Sequence, residues 1–534
     1  MIEDLRNQDG AALDVDVCLI GAGAAGISIA MELAGSDLRV CLLESGGLEP
    51  EADTQSLYEG PSVGHPMALD EGRYRIFGGS TSQWTGRCAT LDPIDFETRP
   101  WLAVSGWPIT PSDLAPYYER AREVCTFEEP WIPDEEVADA LGVALPKFNP
   151  RRVSPYVWRY AMQPDGGNLN WGAHYRKALE AAPNVHVLLH SNVTAINTDD
   201  DARRVSSVTA RALSGQSVTV RARAFAACCG GLENARLLLA NPIGAPGGPG
   251  NPHDQIGRYF MQHPRGRIAR LDASAETERR LQDLFNVFRR RSGLQYEIGF
   301  GLPPTVQRSE ELLNATAVLT YDAAPESGWE SAKAALRDIR SGRLSGRTLR
   351  RAGQALADAD DVMRNAARRL SNRQVILTTE AVNVVIDLEQ EPDPNSRITL
   401  DDARDALGVR RARVDWRVSE RERATARRFA ALLAEEFERL QIGRLVPEAW
   451  LASDAPVTED QLAGTYHHIC TTRMAADPRH GAVDADCRLH GADNLYAVGC
   501  SSFATGGQAN PTFTIVAMAL RVADHLRARL APGG

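Results

Sequence analysis

The chain has 534 residues, of which 43% are apolar and 24% are charged, and its net charge is −11. A length this far above the roughly 100 to 200 residues of one domain predicts two or three lobes. The composition excludes a disordered, collagen-like or wholly membrane-embedded protein, and the acidic balance disfavours nucleic acid as a partner.

The beginning of the chain and its cysteines indicate the compartment. The first ten residues, MIEDLRNQDG, are polar and acidic where a secretory signal has a basic segment and an apolar run. Nine cysteines without a CxxC pair are typical of reduced thiols, not of a disulfide framework or a zinc site. Two long uncharged stretches, 17–31 and 494–520, contain a glycine turn or several polar residues, so neither is expected to span a membrane. We predict a cytoplasmic protein with no metal site and no membrane span.

Residues 14–44 predict a strand, a glycine turn, a helix and a second strand. Gly21, Gly23 and Gly26 in this turn have the GxGxxG spacing, in which glycines permit a tight turn, approach to a pyrophosphate and close helix packing. Glu44, at the end of the second strand, can accept hydrogen bonds from both ribose hydroxyls of an adenosine. The alternative is an ordinary glycine-rich turn. The pattern favours a dinucleotide and leaves NAD and FAD open.

The predicted secondary structure of the remaining chain changes from one segment to the next. Residues 51–150 are irregular and rich in Gly, Pro and Trp, and a loop of that length is usually functional. Residues 172–240 return to an α/β rhythm, and a final helix is expected at 515–530. Between them, residues 265–450 predict an antiparallel sheet, with strand candidates at 316–321, 375–379, 382–388 and 414–418.

Residues 331–373 predict a helix-rich insert with 11 basic and 4 acidic side chains. Three interpretations fit such an insert: it binds an anionic partner, it lies on a membrane surface, or it is a solvated helical hairpin. Its short apolar faces favour the hairpin.

Five blocks, in order along the chain, resemble the glucose-methanol-choline (GMC) family of flavin oxidoreductases. They are GAGAAG with Glu44, RIFGGSTSQWTG, NPHDQIGRYFMQHP, PNSRITLDDARDALGVRRARVDW, and the segment from YHHICTTRM to ANPTFTIVAMALRVADHL. GGSTSQWT and CSSFATGGQANPTFT are most similar to pyranose oxidases and to bacterial sugar and aminoglycoside dehydrogenases.

The resemblance implies an α/β plus α+β fold, with a Rossmann-like FAD lobe and an antiparallel-sheet substrate lobe. The FAD lobe is expected at 1–264, where segment 51–150 covers the flavin, and again at 455–534. The substrate lobe is expected at 265–454, with the insert at 331–373 inside it.

The resemblance also implies FAD and places it on particular residues. The expected contacts are Gly21, Gly23, Gly26 and Glu44; Gly78, Gly79, Ser80, Thr81 and Ser82 at the pyrophosphate and flavin; Trp84 and Thr85 near the isoalloxazine; Val193 at the adenine; Gly499 and Cys500 at the ribityl phosphate; and Pro511 and Thr512 at the pyrimidine ring. Gln83 stands where pyranose oxidases carry a histidine that can be joined to FAD, so non-covalent FAD is expected.

Alcohol oxidation requires a base beside the flavin, and histidine has a suitable pKa. The family pattern YHxxxTxRM implies His467 as the base and Asn510 as its partner, which would hydrogen-bond the substrate oxygen. His468 is the alternative base, because adjacent residues of an extended segment point to opposite sides. The pair is not expected to bind metal, and Cys470 is expected to pack. A structural role is expected for His253, His263, His480 and His490.

The implied reaction is FAD-dependent oxidation of a hydroxyl group of a sugar, aminosugar or polyol to a carbonyl, with hydride transfer to flavin N5. One alternative is the same reaction on an aromatic or secondary-metabolite alcohol, and another is a flavin-binding protein without catalysis. Trp158 and Trp171 are candidate pocket aromatics. The electron acceptor is O2, a quinone or a redox protein, and no motif distinguishes among them.

Overall fold

The computed structural model describes residues 1–8, 10, 12–163, 166–199, 203–241, 251–289, 294–370 and 374–531. The last three residues of the predicted insert, 371–373, lie outside this set.

Within these ranges the strands form three sheets. They are β1 (Ile2–Asp4), β2 (Ala12–Ile20), β3 (Val40–Leu43), β4 (Ser62–Gly64), β5 (Arg87–Cys88), β6 (Ser154–Tyr160), β7 (Val185–Leu189), β8 (Asn192–Thr198), β9 (Val205–Arg211), β10 (Ser217–Ala227), β11 (Arg265–Asp272), β12 (Val287–Arg289), β13 (Gln295–Gly301), β14 (Ala315–Ala323), β15 (Thr379–Leu388), β16 (Arg397–Arg404), β17 (Arg410–Trp416), β18 (Arg444–Pro447) and β19 (Leu495–Ala497).

The α-helices connect and cover these sheets. They are α1 (Ala24–Leu33), α2 (Ala52–Gln55), α3 (Pro111–Val124), α4 (Asp134–Ala140), α5 (Trp171–Ala181), α6 (Gly230–Ala240), α7 (Ala275–Leu284), α8 (Pro304–Glu310), α9 (Gly328–Arg340), α10 (Gly346–Ala357), α11 (Ala359–Leu370), α12 (Glu420–Arg439) and α13 (Thr512–Leu530).

The first sheet is mainly parallel and has the order β1-β7-β3-β2-β10-β9-β8, with β19 also paired to β10. The neighbouring strands β1-β7, β7-β3, β3-β2 and β2-β10 are all parallel, and so is the β10–β19 pair. Strand β9 is antiparallel to both of its neighbours, β10 and β8. Residues 17–20 of β2 are buried, as in a parallel sheet covered on both faces. Because the carboxyl ends of β2, β3, β10 and β19 meet at one edge, the residues that follow these four strands lie together.

The second sheet is antiparallel and has the order β18-β11-β15-β14-β13-β6-β5, with β12 paired to β13. A small third sheet joins β16, β17 and β4. A Rossmann-like lobe and a lobe built on an antiparallel sheet confirm the predicted fold class. The lobe boundaries stay a prediction: β5 and β6, which precede residue 264, pair in the second sheet, and β19 pairs in the first.

Two local predictions need correction. Segment 51–150 is less irregular than expected, because it contains α3 and α4. The strand predicted at 375–379 is wrong, since β15 begins at Thr379. The side chains of Asn365 and Gln282 bond both backbone groups of Ile376 and Leu377, so a neighbouring strand has no free partner there.

In the described part of the chain, no helix combines the length and the apolar character that crossing a bilayer requires.

Candidate functional site

The turn between β2 and α1 needs glycine at three positions for different reasons. Gly21 has a φ of +103°, and a Cβ there would lie 2.8 Å from the carbonyl oxygen of Cys228. A Cβ on Gly26 would lie 2.0 Å from the carbonyl oxygen of Gly21. A Cβ on Gly23 meets no protein atom within 4 Å, and Gly23 lines a cavity. The fold therefore requires Gly21 and Gly26, while Gly23 leaves room for a ligand.

Glu44 follows β3 and directs its carboxylate to this turn. Oε2 accepts a hydrogen bond from the Ala22 N–H at 2.9 Å, and Oε1 accepts one from the Gly46 N–H at 2.8 Å. Burial raises the pKa of the Glu44 carboxyl group. Oε1 also accepts a hydrogen bond from the Ser45 hydroxyl at 3.2 Å, whereas Oε2 retains a second lone pair that can accept a ligand hydroxyl.

The second glycine cluster packs on the first turn. The Gly78 N–H donates to the Ala22 carbonyl at 2.9 Å, and a Cβ on Gly79 would lie 3.1 Å from the Cα of Gly23. Gly78 and Gly79 both have positive φ, +102° and +55°. Two turns that are distant in sequence thus form one wall of the cavity.

The cavity beside these turns has a volume of about 980 Å³. Small-molecule and cofactor sites span about 300 to 1,000 Å³, so this one is at the large end. The sequence-predicted residues that line it are Gly21, Gly23, Glu44, Gly79, Ser80, Thr81, Ser82, Trp84, Thr85, Val193, His467, Gly499, Cys500, Asn510, Pro511 and Thr512. Gly26 and Gly78 do not line it. They lie behind the wall, where a Cβ on Gly78 would lie 2.6 Å from the Gly172 nitrogen.

Two helices begin at the cavity. The N-cap residues of α1 and α13 are Gly23 and Pro511, and neither supplies a side-chain cap. The first N–H groups of both helices, with the positive ends of the helix dipoles, are therefore available to oxygen atoms of a ligand. This arrangement offers what FAD needs: donors for phosphate oxygens at the start of α1 and an acceptor for ribose hydroxyls at Glu44.

His467 and Asn510, the predicted catalytic pair, lie next to each other on the cavity wall. Asn510 Nδ2 is 3.4 Å from His467 Nε2. On the other side of the ring, His467 Nδ1 is 2.9 Å from His263 Nδ1 and 3.1 Å from Thr465 Oγ1.

These contacts determine which nitrogen of His467 carries the proton. His263 Nε2 is 3.2 Å from the carbonyl oxygen of Gly506, which only accepts, so neutral His263 is protonated at Nε2 and has a lone pair at Nδ1. The Thr465 hydroxyl donates to the His263 carbonyl at 2.9 Å, so its oxygen is also an acceptor for His467. The proton of His467 is therefore on Nδ1, and Nε2 presents its lone pair beside Asn510.

The electrostatic surroundings keep His467 neutral. Burial, more than any other cause, lowers the pKa of His467 well below its usual value, and His263, His468, Arg265 and Arg87 lower it further. Burial also lowers the pKa of His263. Two neutral imidazoles are the forms that the hydrogen bonds above require.

His468 has a different environment from its neighbour. It is 4% exposed, its ring stacks on Phe260 with centroids 5.9 Å apart, and its Nε2 has no hydrogen-bond partner among the described residues. Burial and Arg73 lower its pKa well below the usual value. His468 also lines the cavity, but the contact to Asn510 belongs to His467.

Sequence reasoning missed several residues of this site. His263 was expected to have only a structural role, yet it contacts His467 from a segment 204 residues away. A buried ionic group also lines the cavity and comes from three separate segments: Arg73, Arg75, Glu233, Arg236 and Asp405. No spacing in the sequence relates these segments.

The ionic group has more positive than negative side chains. Burial raises the pKa of Glu233, but Arg236, Arg75 and Arg73 outweigh it and hold the pKa at about 2. Three guanidinium groups with two carboxylates leave this buried group with excess positive charge.

The expected pocket aromatics need correction. Trp158 and Trp171 are 1% and 0% exposed and lie in the core, and neither lines the cavity. Trp84 does line it, and its Nε1 donates to the Leu169 carbonyl at 2.7 Å.

Comparison with known proteins gives two family matches. Residues 16–293 match the model of the FAD dependent oxidoreductases, and residues 392–519 match the C-terminal model of the GMC oxidoreductases. The chain is 26% identical to 6'''-hydroxyparomomycin C oxidase of Streptomyces lividus, over 96% of this chain and 92% of that one. It is 24% identical to the fructose dehydrogenase large subunit of Gluconobacter japonicus, over 96% and 98% of the two chains.

Solved structures share the fold. Pyridoxine 4-oxidase from Mesorbium loti superposes with a TM-score of 0.56 at 18% identity, covering 96% of this chain and 98% of that one. At this identity the likeness concerns the fold alone.

Proposed function

Since the chain belongs to the FAD-dependent oxidoreductases of the GMC family, we propose that it oxidises a hydroxyl group of a sugar, aminosugar or polyol to a carbonyl, with His467 as the base. The observation that carries the proposal is the His467–Asn510 pair, held on the wall of a cavity whose other residues fit FAD.

The residues expected at FAD assign each part of the cofactor to a different part of the cavity. The uncapped start of α1 at Gly23 and the turn at Gly79–Ser82 would hold the pyrophosphate, and Glu44 and Val193 would hold the adenosine. Gly499 and Cys500, which follow β19, would hold the ribityl phosphate. Pro511 and Thr512, at the start of α13, would contact the pyrimidine ring, and Trp84 and Thr85 would lie near the isoalloxazine.

When bound, FAD supplies a ring nitrogen, N5, that accepts a hydride. His467 Nε2 would remove the proton from the substrate hydroxyl, so that a hydride can leave the carbon that bears this oxygen and a carbonyl forms. The alcohol loses one proton to His467 and one hydride to the cofactor, which balances the two-electron oxidation. General-base catalysis of this kind contributes about 10²- to 10⁴-fold in rate.

Asn510 and His263 keep this base in position. The Asn510 amide directs Nδ2–H to the side of Nε2, where it can donate to the substrate oxygen. His263 Nδ1 accepts a hydrogen bond from the Nδ1–H of His467 and thereby keeps the lone pair of His467 on Nε2. His263 is a positioning residue, because it acts through His467.

The proposed substrate class follows from the relatives. Both are similar over nearly their whole length, and their names specify an aminoglycoside and a sugar. One is called an oxidase and the other a dehydrogenase, so for the electron acceptor we propose O2, a quinone or a redox protein. Gln83, an exposed residue that lines the cavity, supports non-covalent binding of FAD.

Acid precipitation tests the non-covalent binding. We expect the flavin to remain in the supernatant when the purified protein is precipitated with acid. Flavin that stays with the precipitate would contradict the proposal for Gln83.

The reaction is tested by anaerobic spectroscopy of the FAD-loaded protein with sugars, aminosugars, cyclitols and aromatic alcohols. We expect one of the sugar, aminosugar or cyclitol classes to bleach the oxidised-flavin absorption. Bleaching by aromatic alcohols alone would refute the substrate class. A flavin that chemical reductants bleach but no alcohol does would refute the reaction.

A further inference from the structure

Residues 328–370, hereafter the helical insert, comprise α9, α10 and α11 and carry an unusual share of exposed apolar side chains. Seven of the eleven large apolar side chains that are exposed among the described residues belong to it. They are Leu336, Ile339, Leu344, Leu349, Leu356, Met363 and Leu370. Leu349, Leu356 and Leu370 are 76%, 78% and 89% exposed, so these are not partly covered edges of a core.

The apolar side chains are arranged as helix faces. Leu349 and Leu356 are two turns apart on α10, and Met363 and Leu370 are two turns apart on α11. Residues at this spacing share one side of a helix. Both helices therefore present an apolar stripe to solvent.

The buried residues of the same helices are small or polar. Their contacts hold the insert in an orientation in which the apolar stripes point outward. The buried positions are Ser331, Ala335, Thr348, Asp361 and Asn365, with Gly328. Asp361 accepts from the Trp329 N–H at 2.8 Å and from Asn365 Nδ2 at 3.0 Å. Asn365 also bonds both backbone groups of Ile376, at 2.8 and 2.9 Å. Turning α11 so that Met363 and Leu370 point inward would break these buried hydrogen bonds.

The charge of the insert is opposite to that of the whole chain. Residues 328–370 contain ten basic and five acidic residues, whereas the chain has a net charge of −11. Six exposed arginines of the insert have no acidic side chain within ion-pair distance among the described residues: Arg337, Arg340, Arg343, Arg347, Arg350 and Arg369. The surface therefore combines exposed aliphatic groups with uncompensated positive charge.

We propose that the helical insert docks the protein on an anionic lipid surface. Aliphatic side chains enter the boundary of the acyl chains, while arginines reach the headgroups with their long side chains. Each uncompensated arginine adds attraction to an anionic leaflet.

The chemistry of the insert favours a lipid surface over a second copy of the chain and over a protein partner. An identical face of a second copy would bring twelve uncompensated arginines together, because a two-fold contact pairs the same patch with itself. Protein interfaces concentrate binding in aromatic side chains, whereas the seven large apolar side chains that the insert exposes are Leu, Ile and Met.

The test is flotation of the FAD-loaded protein with vesicles of phosphatidylcholine, alone or with about 30% phosphatidylglycerol. We expect binding to the anionic vesicles, at least about fivefold weaker binding to the neutral ones, and loss of binding at about 0.5 M NaCl. The variant L349E/L356E should lower the bound fraction about tenfold. The control L213E/V446E adds the same two charges at exposed apolar positions outside the insert and should bind as the wild type does.

Flavin absorbance and the melting temperature check that both variants are folded. Equal binding to neutral and anionic vesicles, or equal loss in both variants, would overturn the proposal. An absence of vesicle binding would also overturn it. This includes the case in which light scattering finds a dimer that L349E/L356E dissociates, because the apolar face then belongs to a contact between two copies. An acidic protein partner in place of lipid would appear as capture that persists without vesicles, and this too would overturn it.

Discussion

His467 and His263 face each other through their Nδ1 atoms, 2.9 Å apart, although they are 204 residues apart in the sequence. Two nitrogens at this distance share one proton, and the carbonyl of Gly506 at His263 Nε2 assigns that proton to His467. The nitrogen that faces Asn510 is therefore left unprotonated.

This relationship predicts the effect of removing the acceptor. His263→Leu should slow anaerobic flavin reduction by up to about 10²-fold, because only the longer contact to Thr465 Oγ1, at 3.1 Å, then holds the proton on Nδ1, and His467 more often adopts the tautomer with its proton on Nε2. His263→Asn retains an oxygen acceptor near Nδ1 and should recover most of the rate. The readouts are the reduction rate by stopped flow, with the melting temperature and FAD affinity for each variant. Equal rates for Leu and Asn, in proteins of equal stability, would contradict the positioning role.

The lowered pKa of His467 predicts the pH profile. The base is active when neutral, and a pKa below the ordinary 6.5 keeps it neutral to more acidic pH. We expect kcat/KM to be level through pH 6.5 and to fall only below it, as His467 becomes protonated. The profile is measured over about pH 5 to 9 with wild-type protein. A midpoint at or above 6.5 would contradict the effect of burial beside His263, His468, Arg265 and Arg87.

The two glycines at the start of α1 predict different defects. Gly26→Ala places a Cβ 2.0 Å from the Gly21 carbonyl oxygen, so it should destabilise the protein by about 1 to 3 kcal/mol or more even without FAD. Gly23→Ala meets no protein atom within 4 Å, so the FAD-free protein should melt as the wild type does. Its methyl group enters the cavity and should weaken FAD about tenfold or more.

Thermal melts of the FAD-free proteins and flavin titrations separate the two effects. A Gly23→Ala protein that binds FAD like the wild type would show that the pyrophosphate does not lie against Gly23.

The local pattern of the sequence predicts the elements around the first turn well. The apolar strand, glycines and Glu44 of residues 14–44 all form one βαβ unit, because that information is contained in consecutive residues. The family and the FAD-dependent enzyme class that the motifs predict are confirmed by the two family matches, and the fold class is confirmed by the sheet topology.

Predictions failed where distant residues decide the outcome. The strand predicted at 375–379 rests on an apolar run, but Asn365 and Gln282 occupy the backbone groups of Ile376 and Leu377. His263 resembles any buried histidine until the fold brings it to His467. Helix α3 was missed inside an irregular segment, although Thr110 and Asp113 form a capping box that marks its start.

The central claim, that His467 and not His468 is the base, is tested most directly by flavin reduction in H467Q and H468Q. Glutamine keeps a polar side chain of similar size and cannot titrate in this range. We predict that H467Q reduces its flavin about 10²- to 10⁴-fold more slowly than the wild type under anaerobic conditions, that H468Q stays within about threefold, and that both retain FAD. A loss in H468Q equal to that in H467Q, or an H467Q protein that reacts like the wild type, would contradict the account.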